Sequence, residues 1–301
     1  MNGGIPAPEP LLCRSLLMTC ALHVHQYDRA WEVGADIGVV DLEDSVPEPR
    51  KEEARRLALP FLRDRAPEGG PVRALRINSL RSPDGLRDLI ALLDSGARPD
   101  ALFVPKVDSA QDLYILSDIL GDRLRSVFFL VLIETAAGLC AVEEIAASTP
   151  RLRALVFGAA DYSTEMGIPM EWEPLFAARS RIVVAAARAG IPAMDTPYFD
   201  IKNQPGLRAE NARARALGFQ GRAAVHPSQV ALINEGFSPA PEAVSRARRV
   251  VALAEKSGGQ IAVLDDGQMI GPPMCLAARR TLALAEKIEQ AEQRRLHPAA
   301  V

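Results

Sequence analysis

Cysteine is scarce in this chain: Cys13, Cys20, Cys140 and Cys275 are its four, and none forms a CxxC pair. That spacing argues against a zinc ribbon or a disulfide framework and reads as buried thiols in a reducing compartment. An excess of one charge is missing too. With 35 Lys and Arg against 38 Asp and Glu, the formal net charge is -3. No basic stripe appears, so a nucleic-acid partner is not expected. Long apolar runs are absent: the longest, Val127–Ile133, is far short of the roughly 20 residues a membrane span needs. No GxGxxG follows the first apolar run, which weakens a dinucleotide-binding open sheet. No low-complexity tract or internal repeat stands out. Residues 1–13 are rich in Pro and Gly and are expected to be flexible. Arg14 interrupts the apolar stretch that follows them, which makes it a poor signal peptide. A cytoplasmic protein is the expectation.

What is present is an alternation. Short apolar runs, of the kind that form parallel strands buried on both faces, occupy Ser15–Cys20, Ile37–Leu42, Val72–Ile77, Ala101–Val104, Val127–Ile133, Ala154–Phe157, Ile191–Met194 and Ala223–Val225. Amphipathic helical patterns lie between them: Arg50–Leu62, Ser82–Asp94, Ser109–Ile119, Val142–Ala147, Pro174–Ala189 and Pro205–Leu217. Ser82-Pro83 suits a helix start, and Gly190 and Gly218 suit helix stops. Glu242–Lys256 and Pro272–Ala291 follow the eighth strand, separated by a loop at Ser257–Gly271. Eight strand–helix units without a composition break predict an α/β fold, a (β/α)8 TIM barrel with a C-terminal helical extension. The barrel domain is taken as 14–240. A helical segment over 241–301 is expected to pack on the barrel or a neighbouring subunit, with the chain already looking appended after about Gln229.

Active sites of such barrels sit at the C-terminal ends of the strands. There the sequence places Asp41-Leu42-Glu43-Asp44, Arg76-Ile77-Asn78, Pro105-Lys106, Glu134-Thr135, Gly158 with Asp161, Asp195 and His226-Pro227. Carboxylates crowded at one mouth repel each other, and a hard divalent cation resolves that. Mg2+ is held by one or two carboxylates, with water and substrate filling an octahedron. Glu134 and Asp161 come from adjacent strands and are the candidate metal ligands, with Mn2+ able to replace Mg2+. Gly158 would let the backbone turn close to a ligand. The alternative is a set of helix N-caps and surface salt bridges. The planar fork of Arg76 suits a carboxylate or a developing oxyanion, or else a structural pairing with Glu43 or Asp44. Lys106 could serve likewise; a Schiff base is disfavoured, because surrounding acids keep the amine protonated.

Taken in order, Arg14-Ser15, Gly34-Ala35-Asp36, Asp41 through Pro47, Lys51 with Ala54-Arg55, Arg76-Ile77-Asn78, Pro105-Lys106-Val107, Ile133-Glu134-Thr135, Phe157-Gly158 with Asp161, Gly218-Phe219, Gly221, His226-Pro227 with Gln229, and Phe237-Ser238-Pro239 resemble the citrate lyase β-subunit-like branch of the HpcH/HpaI aldolase family. The resemblance spans about residues 14 to 290. It implies a Mg2+-dependent enzyme, often a trimer, that cleaves or forms a carbon–carbon bond beside a thioester. Substrates of this kind are citryl-CoA, malyl-CoA and citramalyl-CoA, or related hydroxy acids. By the resemblance, Glu134 and Asp161 match the metal ligands, Arg76 matches the enolate-stabilising arginine, and Glu43 and Asp44 match residues that order metal-bound water. The expected catalytic residues are Arg76, Glu43 and Asp44. The expected substrate-binding residues are Arg14, Arg76, Lys106, Gly158, Ala159 and Ala160. The expected partners are a small-molecule substrate and further copies of the chain, as a trimer or hexamer. Two departures stand out. Gly271, in Met269-Ile270-Gly271-Pro272-Pro273, occupies a place where many relatives carry a proton-transferring Asp. His23 and His25 fall in the segment after the first strand, where relatives have other residues. A thioester hydrolase on the same scaffold, or a non-catalytic binding subunit, is the alternative.

Overall fold

The computed structural model describes residues 11–63, 69–258, 260–264 and 266–296. Residues 1–10, most of the segment expected to be flexible, lie outside the described residues. Eight parallel strands close into a barrel in chain order: β1 (Ser15–Cys20), β2 (Ile37–Asp41), β3 (Val72–Arg76), β4 (Ala101–Val104), β5 (Phe128–Ile133), β6 (Leu152–Phe157), β7 (Ala193–Asp195) and β8 (Gly221–Ala224), with β8 pairing back onto β1. This is the (β/α)8 architecture. β7 starts two residues later than the apolar run suggested, because Pro192 has no N–H to give a ladder and only its carbonyl is used, by the Leu155 amide.

The helices outside the barrel start and stop where local chemistry says they should. The Ser82 side chain accepts the Gly85 amide ahead of the helix Pro83–Ser95. Gly190 (φ 71°) and Gly218 (φ 118°) end the helices Trp172–Ala189 and Gln204–Leu217 in left-handed conformations that side chains with a Cβ resist. Short helices at Asp28–Glu32, Ala136–Cys140 and Ala159–Met166 also occupy strand-to-helix connections. They are too brief for a 3.6-residue period to reveal.

Two corrections concern the end of the barrel. The helix Val230–Phe237, which looked appended from sequence, belongs to the barrel unit. It buries Val230, Ile233 and Phe237 in the layer between sheet and helices. Asn234 fixes it to the first strand, accepting the Ser15 hydroxyl at 2.7 Å. The described residues from Ser238 onward form a second compact unit, together with Gly69 and Gly70. Its helices Pro241–Lys256 and Pro272–Leu296 share a small core of Ala247, Val250, Leu264, Ile270 and Ala278. The connection between them, expected as loop, carries a two-stranded antiparallel pair of Ala262–Val263 with Met269–Ile270. Among the described residues no helix is long and apolar enough to cross a membrane.

Candidate active site

Side chains alternate between the two faces of a strand. The barrel interior is filled by Leu16, Ile37, Val39, Ala74, Phe103, Leu130, Leu132, Ala154 and Val156, among others. Continuing each strand by one more inward step brings Asp41, Arg76, Glu134 and Gly158 to the interior at the C-terminal end. The site is therefore a consequence of register: where apolar filling stops, the next inward positions are polar.

Asp41 and Arg76 are direct partners across β2 and β3. The guanidinium grips the carboxylate through both oxygens, Nε to Oδ1 at 2.6 Å and Nη2 to Oδ2 at 2.7 Å. Asp41 also accepts the backbone amides of Glu43 at 2.8 Å and Ser45 at 3.2 Å. It thus ties the arginine to the loop that carries Glu43 and Asp44. Burial works against the charge of Asp41, but the two bonds from Arg76 outweigh it and hold the carboxyl below its usual range. Burial likewise opposes the charge on Arg76, and Asp41, Glu43 and Asp44 together push its pKa higher still. The third donor, Nη1, lies 2.8 Å from Glu43 Oε2 and 3.4 Å from Asp44 Oδ2. Lys106 Nζ takes the other oxygen of Glu43 at 2.9 Å. Burial raises the pKa of Glu43 against the pull of these cations. The Asp44 side chain, by contrast, is 57% exposed.

Glu134 is buried at the end of β5. Its Oε1 accepts the Lys106 amide at 2.8 Å. Lys106 reaches that position with a φ of 52°, the left-handed region a side chain normally avoids. The other oxygen faces Gly158: a Cβ built there would stand 2.5 Å from Glu134 Oε2. Asp161 enters from the first turn of Ala159–Met166 and is partly exposed. Burial, then the charges of Glu43 and Asp161, push the Glu134 carboxyl up to about 8. A buried carboxylate with one oxygen fixed by an amide, the other in a cradle only glycine permits, and two more carboxylates within electrostatic range fits a bound cation. The donors are all oxygen, which suits a hard ion rather than zinc. No group of three or more His, Cys, Asp or Glu that could hold a metal occurs among the described residues. A pair of carboxylates leaves coordination positions for water and substrate, as Mg2+ sites do.

Other expected site residues lie elsewhere or are already engaged. Arg14, expected to bind substrate, precedes β1 and so lies at the opposite end of the barrel from the mouth. It is buried against Asp36, with bonds of 3.0 and 2.9 Å from Nε and Nη2 to the two carboxylate oxygens. Asp195 looked like a mouth acid but points outward, because its parity on β7 is opposite to that of Met194. It is fully buried between Arg179, at 3.0 Å, and Arg222, at 2.8 Å. In the turn expected to bind substrate, the Gly158 amide already donates to Ile133 O at 3.0 Å and the Ala159 amide to Thr196 Oγ1 at 3.3 Å. His23 and His25 are exposed on the turn after β1, with ring centroids 6.0 Å apart.

Asp41 and Thr196 join the site without a role having been expected for them there, and a buried polar layer lies beneath the mouth. In that layer Lys51 Nζ donates to the carbonyls of Leu42 and Glu43 and to Asn78, and Asn78 is bonded to Asp88. The signal for Asp41 was available: it continues the Ile37, Val39 alternation.

A family model described as HpcH/HpaI aldolase/citrate lyase matches residues 15–227. The chain is 35% identical over 257 residues to the L-malyl-CoA/beta-methylmalyl-CoA lyase of Rhodobacter capsulatus, covering 77% of this chain and 80% of the relative. Among solved structures it resembles RipC from Yersinia pestis, with a TM-score of 0.68 and 41% identity over 78% of this chain and 99% of that one. It also resembles the CitE protein of Mycobacterium tuberculosis in complex with magnesium, acetoacetate and coenzyme A, with a TM-score of 0.75 and 30% identity over 91% of this chain and 98% of the other. The chain belongs to the HpcH/HpaI aldolase/citrate lyase family.

Proposed function

We propose that this protein is a Mg2+-dependent carbon–carbon lyase acting on a 3-hydroxyacyl-CoA of the malyl-, citramalyl- or citryl-CoA type, or on a related hydroxy acid. The observation that carries this reading is the buried carboxyl of Glu134, raised by burial and by the charges of Glu43 and Asp161 and joined through Lys106 and Glu43 to the clamped guanidinium of Arg76. Glu134 and Asp161 would hold the ion, with Mn2+ as a substitute. When bound, it would supply Lewis-acid charge to the substrate's carboxylate and neighbouring oxygen. Arg76, immobilised by Asp41, would present the Nη1 hydrogen not taken by Glu43 to the enolate oxygen that develops as the carbon–carbon bond breaks. The Ala160 amide, in the first turn of the helix that follows β6, would meet a substrate carboxylate.

The hydroxyl proton needs an acceptor, and Gly271 supplies none. Asp44 fills that role in this reading. Its carboxylate is the exposed one beside Arg76, whereas both oxygens of Glu43 are occupied. The enzyme would work in the cytoplasm as a homo-oligomer, a trimer or hexamer. Apolar side chains exposed on Pro83–Ser95 (Leu86, Ile90) and on Ala110–Leu120 (Ile115, Ile119) support association between copies.

Product analysis tests the activity. Incubation with malyl-CoA and citramalyl-CoA plus Mg2+ should release glyoxylate or pyruvate together with acetyl-CoA. Release of free CoA thiol and an intact hydroxy acid would instead make it a thioester hydrolase.

A further inference from the structure

Resting on the reading of Glu134 and Asp161 as the ion's ligands, we propose that Lys106 is a positioning residue that holds Glu43 out of the ligand set. Glu43 lies within electrostatic range of Glu134, as Asp161 does, yet its two oxygens are both capped by cations. Arg76 Nη1 stands 2.8 Å from Oε2, and Lys106 Nζ stands 2.9 Å from Oε1. The arginine cannot release its hold, because Asp41 grips its other edge. The lysine is the looser of the two, with a side chain 37% exposed.

Lys106 is the one non-glycine residue with positive φ among the described residues. A left-handed conformation is disfavoured for a side-chain-bearing residue and open to glycine. The turn therefore keeps a strained residue where an unstrained one would fit its backbone. The reason lies in what each part of Lys106 touches: its amide orients the ligand Glu134 at 2.8 Å, while its ammonium restrains Glu43. Free of that restraint, Oε1 of Glu43 would be open to the ion while Oε2 stays on Arg76, and this third carboxylate would occupy a position that substrate needs. Octahedral Mg2+ has few positions to spare.

The experiment measures binding rather than turnover. Mn2+ is titrated by the paramagnetic resonance of the free ion, and pyruvate is then titrated into the Mn2+-loaded protein. Wild type is compared with Lys106→Met and Lys106→Gly. The glycine variant suits the φ of 52°, so it should fold even where the methionine variant does not. Both variants should bind Mn2+ more tightly, on the order of tenfold, and pyruvate at least tenfold more weakly. In a Glu43→Gln background the same Lys106 changes should leave pyruvate affinity within about twofold, because no third carboxylate remains to release.

Weaker or unchanged Mn2+ binding in both variants would overturn the proposal. So would tighter Mn2+ binding with pyruvate affinity unchanged, which is what loss of a nearby charge alone produces. A loss of pyruvate affinity that persists in the Glu43→Gln background would make Lys106 a direct substrate contact and overturn it as well. Failure of the wild type to bind Mn2+ would remove the metal site itself, and this proposal with it. Wild-type binding with indifferent variants would remove only the role of Lys106.

Discussion

Replacing Gly158 with alanine adds one methyl group at the most confined point of the site. The backbone there, at φ -95° and ψ 70°, is open to alanine, so the perturbation is steric rather than conformational. The new Cβ would lie 2.5 Å from both Cβ and Oε2 of Glu134. Non-bonded carbons settle at about 3.5–4.0 Å, so something must move by roughly 1 Å. The backbones cannot simply part, because the Gly158 amide donates to Ile133 O at 3.0 Å. Glu134 Oε1 is also held, by the Lys106 amide. The displacement therefore falls on Oε2, the oxygen assigned to the ion. Mg2+ and Mn2+ sites do not absorb an error of that size, since Mg2+ demands oxygens at about 2.0–2.1 Å. A loss of about 10–100-fold in divalent-ion affinity is expected, equivalent to about 1.4–2.8 kcal/mol. Overpacking should also lower folding stability by about 1–3 kcal/mol. Mn2+ titration and thermal unfolding of the purified variant read the two effects separately. Should Gly158→Ala bind Mn2+ within twofold of wild type, Oε2 of Glu134 is not a ligand and the cradle argument fails.

Further predictions follow from the same geometry. The carboxyl of Glu134 is raised from 4.5 to about 8, so the folded state favours its neutral form. That contribution is complete below pH 4.5 and disappears as pH climbs through about 8. The metal-free protein should lose stability across this window in thermal melts. Divalent-ion affinity should rise with pH up to about 8, with proton release visible by calorimetry in two buffers; a flat pH profile would contradict the assignment. Arg76→Lys forfeits the two-pronged hold on Asp41 and should lower kcat by about 10²–10³-fold, with full-length protein still folded by circular dichroism. Arg14→Met leaves Asp36 buried without its charge partner and should cost about 3–5 kcal/mol of stability. Steady-state kinetics of that variant should show KM unchanged, since the residue lies at the opposite end of the barrel. Asp195→Asn removes the charge partner of the buried Arg179, while Arg222 keeps Glu210 at 3.3 Å, and should likewise depress stability by about 3–5 kcal/mol, with kcat per folded molecule preserved.

Much of this architecture is legible in linear pattern. Apolar runs such as Ala101–Val104 and Phe128–Ile133 are buried on both faces, and such runs mark strands whatever their neighbours. Glu134 directly follows β5 and Arg76 closes β3, so their place at the open end comes with the strand direction. Asp195 and Arg14 were misjudged for two distinct reasons. Strand position was read correctly for Asp195, but a single step of register on β7 decides between the mouth and the helical shell. Arg14 was carried by its motif, although it stands ahead of its strand, at the far end of the barrel.

The order of the eight barrel strands and the acidic character of the mouth were determined by the sequence alone. Hydrophobic period and chain direction are local properties, and they suffice for that. Which partner each charge takes was decided only by the tertiary structure. The two-pronged grip of Asp41 on Arg76, the capping of Glu43 from both sides and the left-handed turn at Lys106 join residues far apart in the chain. Ion pairing depends on distance and burial, and neither exists until the barrel has closed.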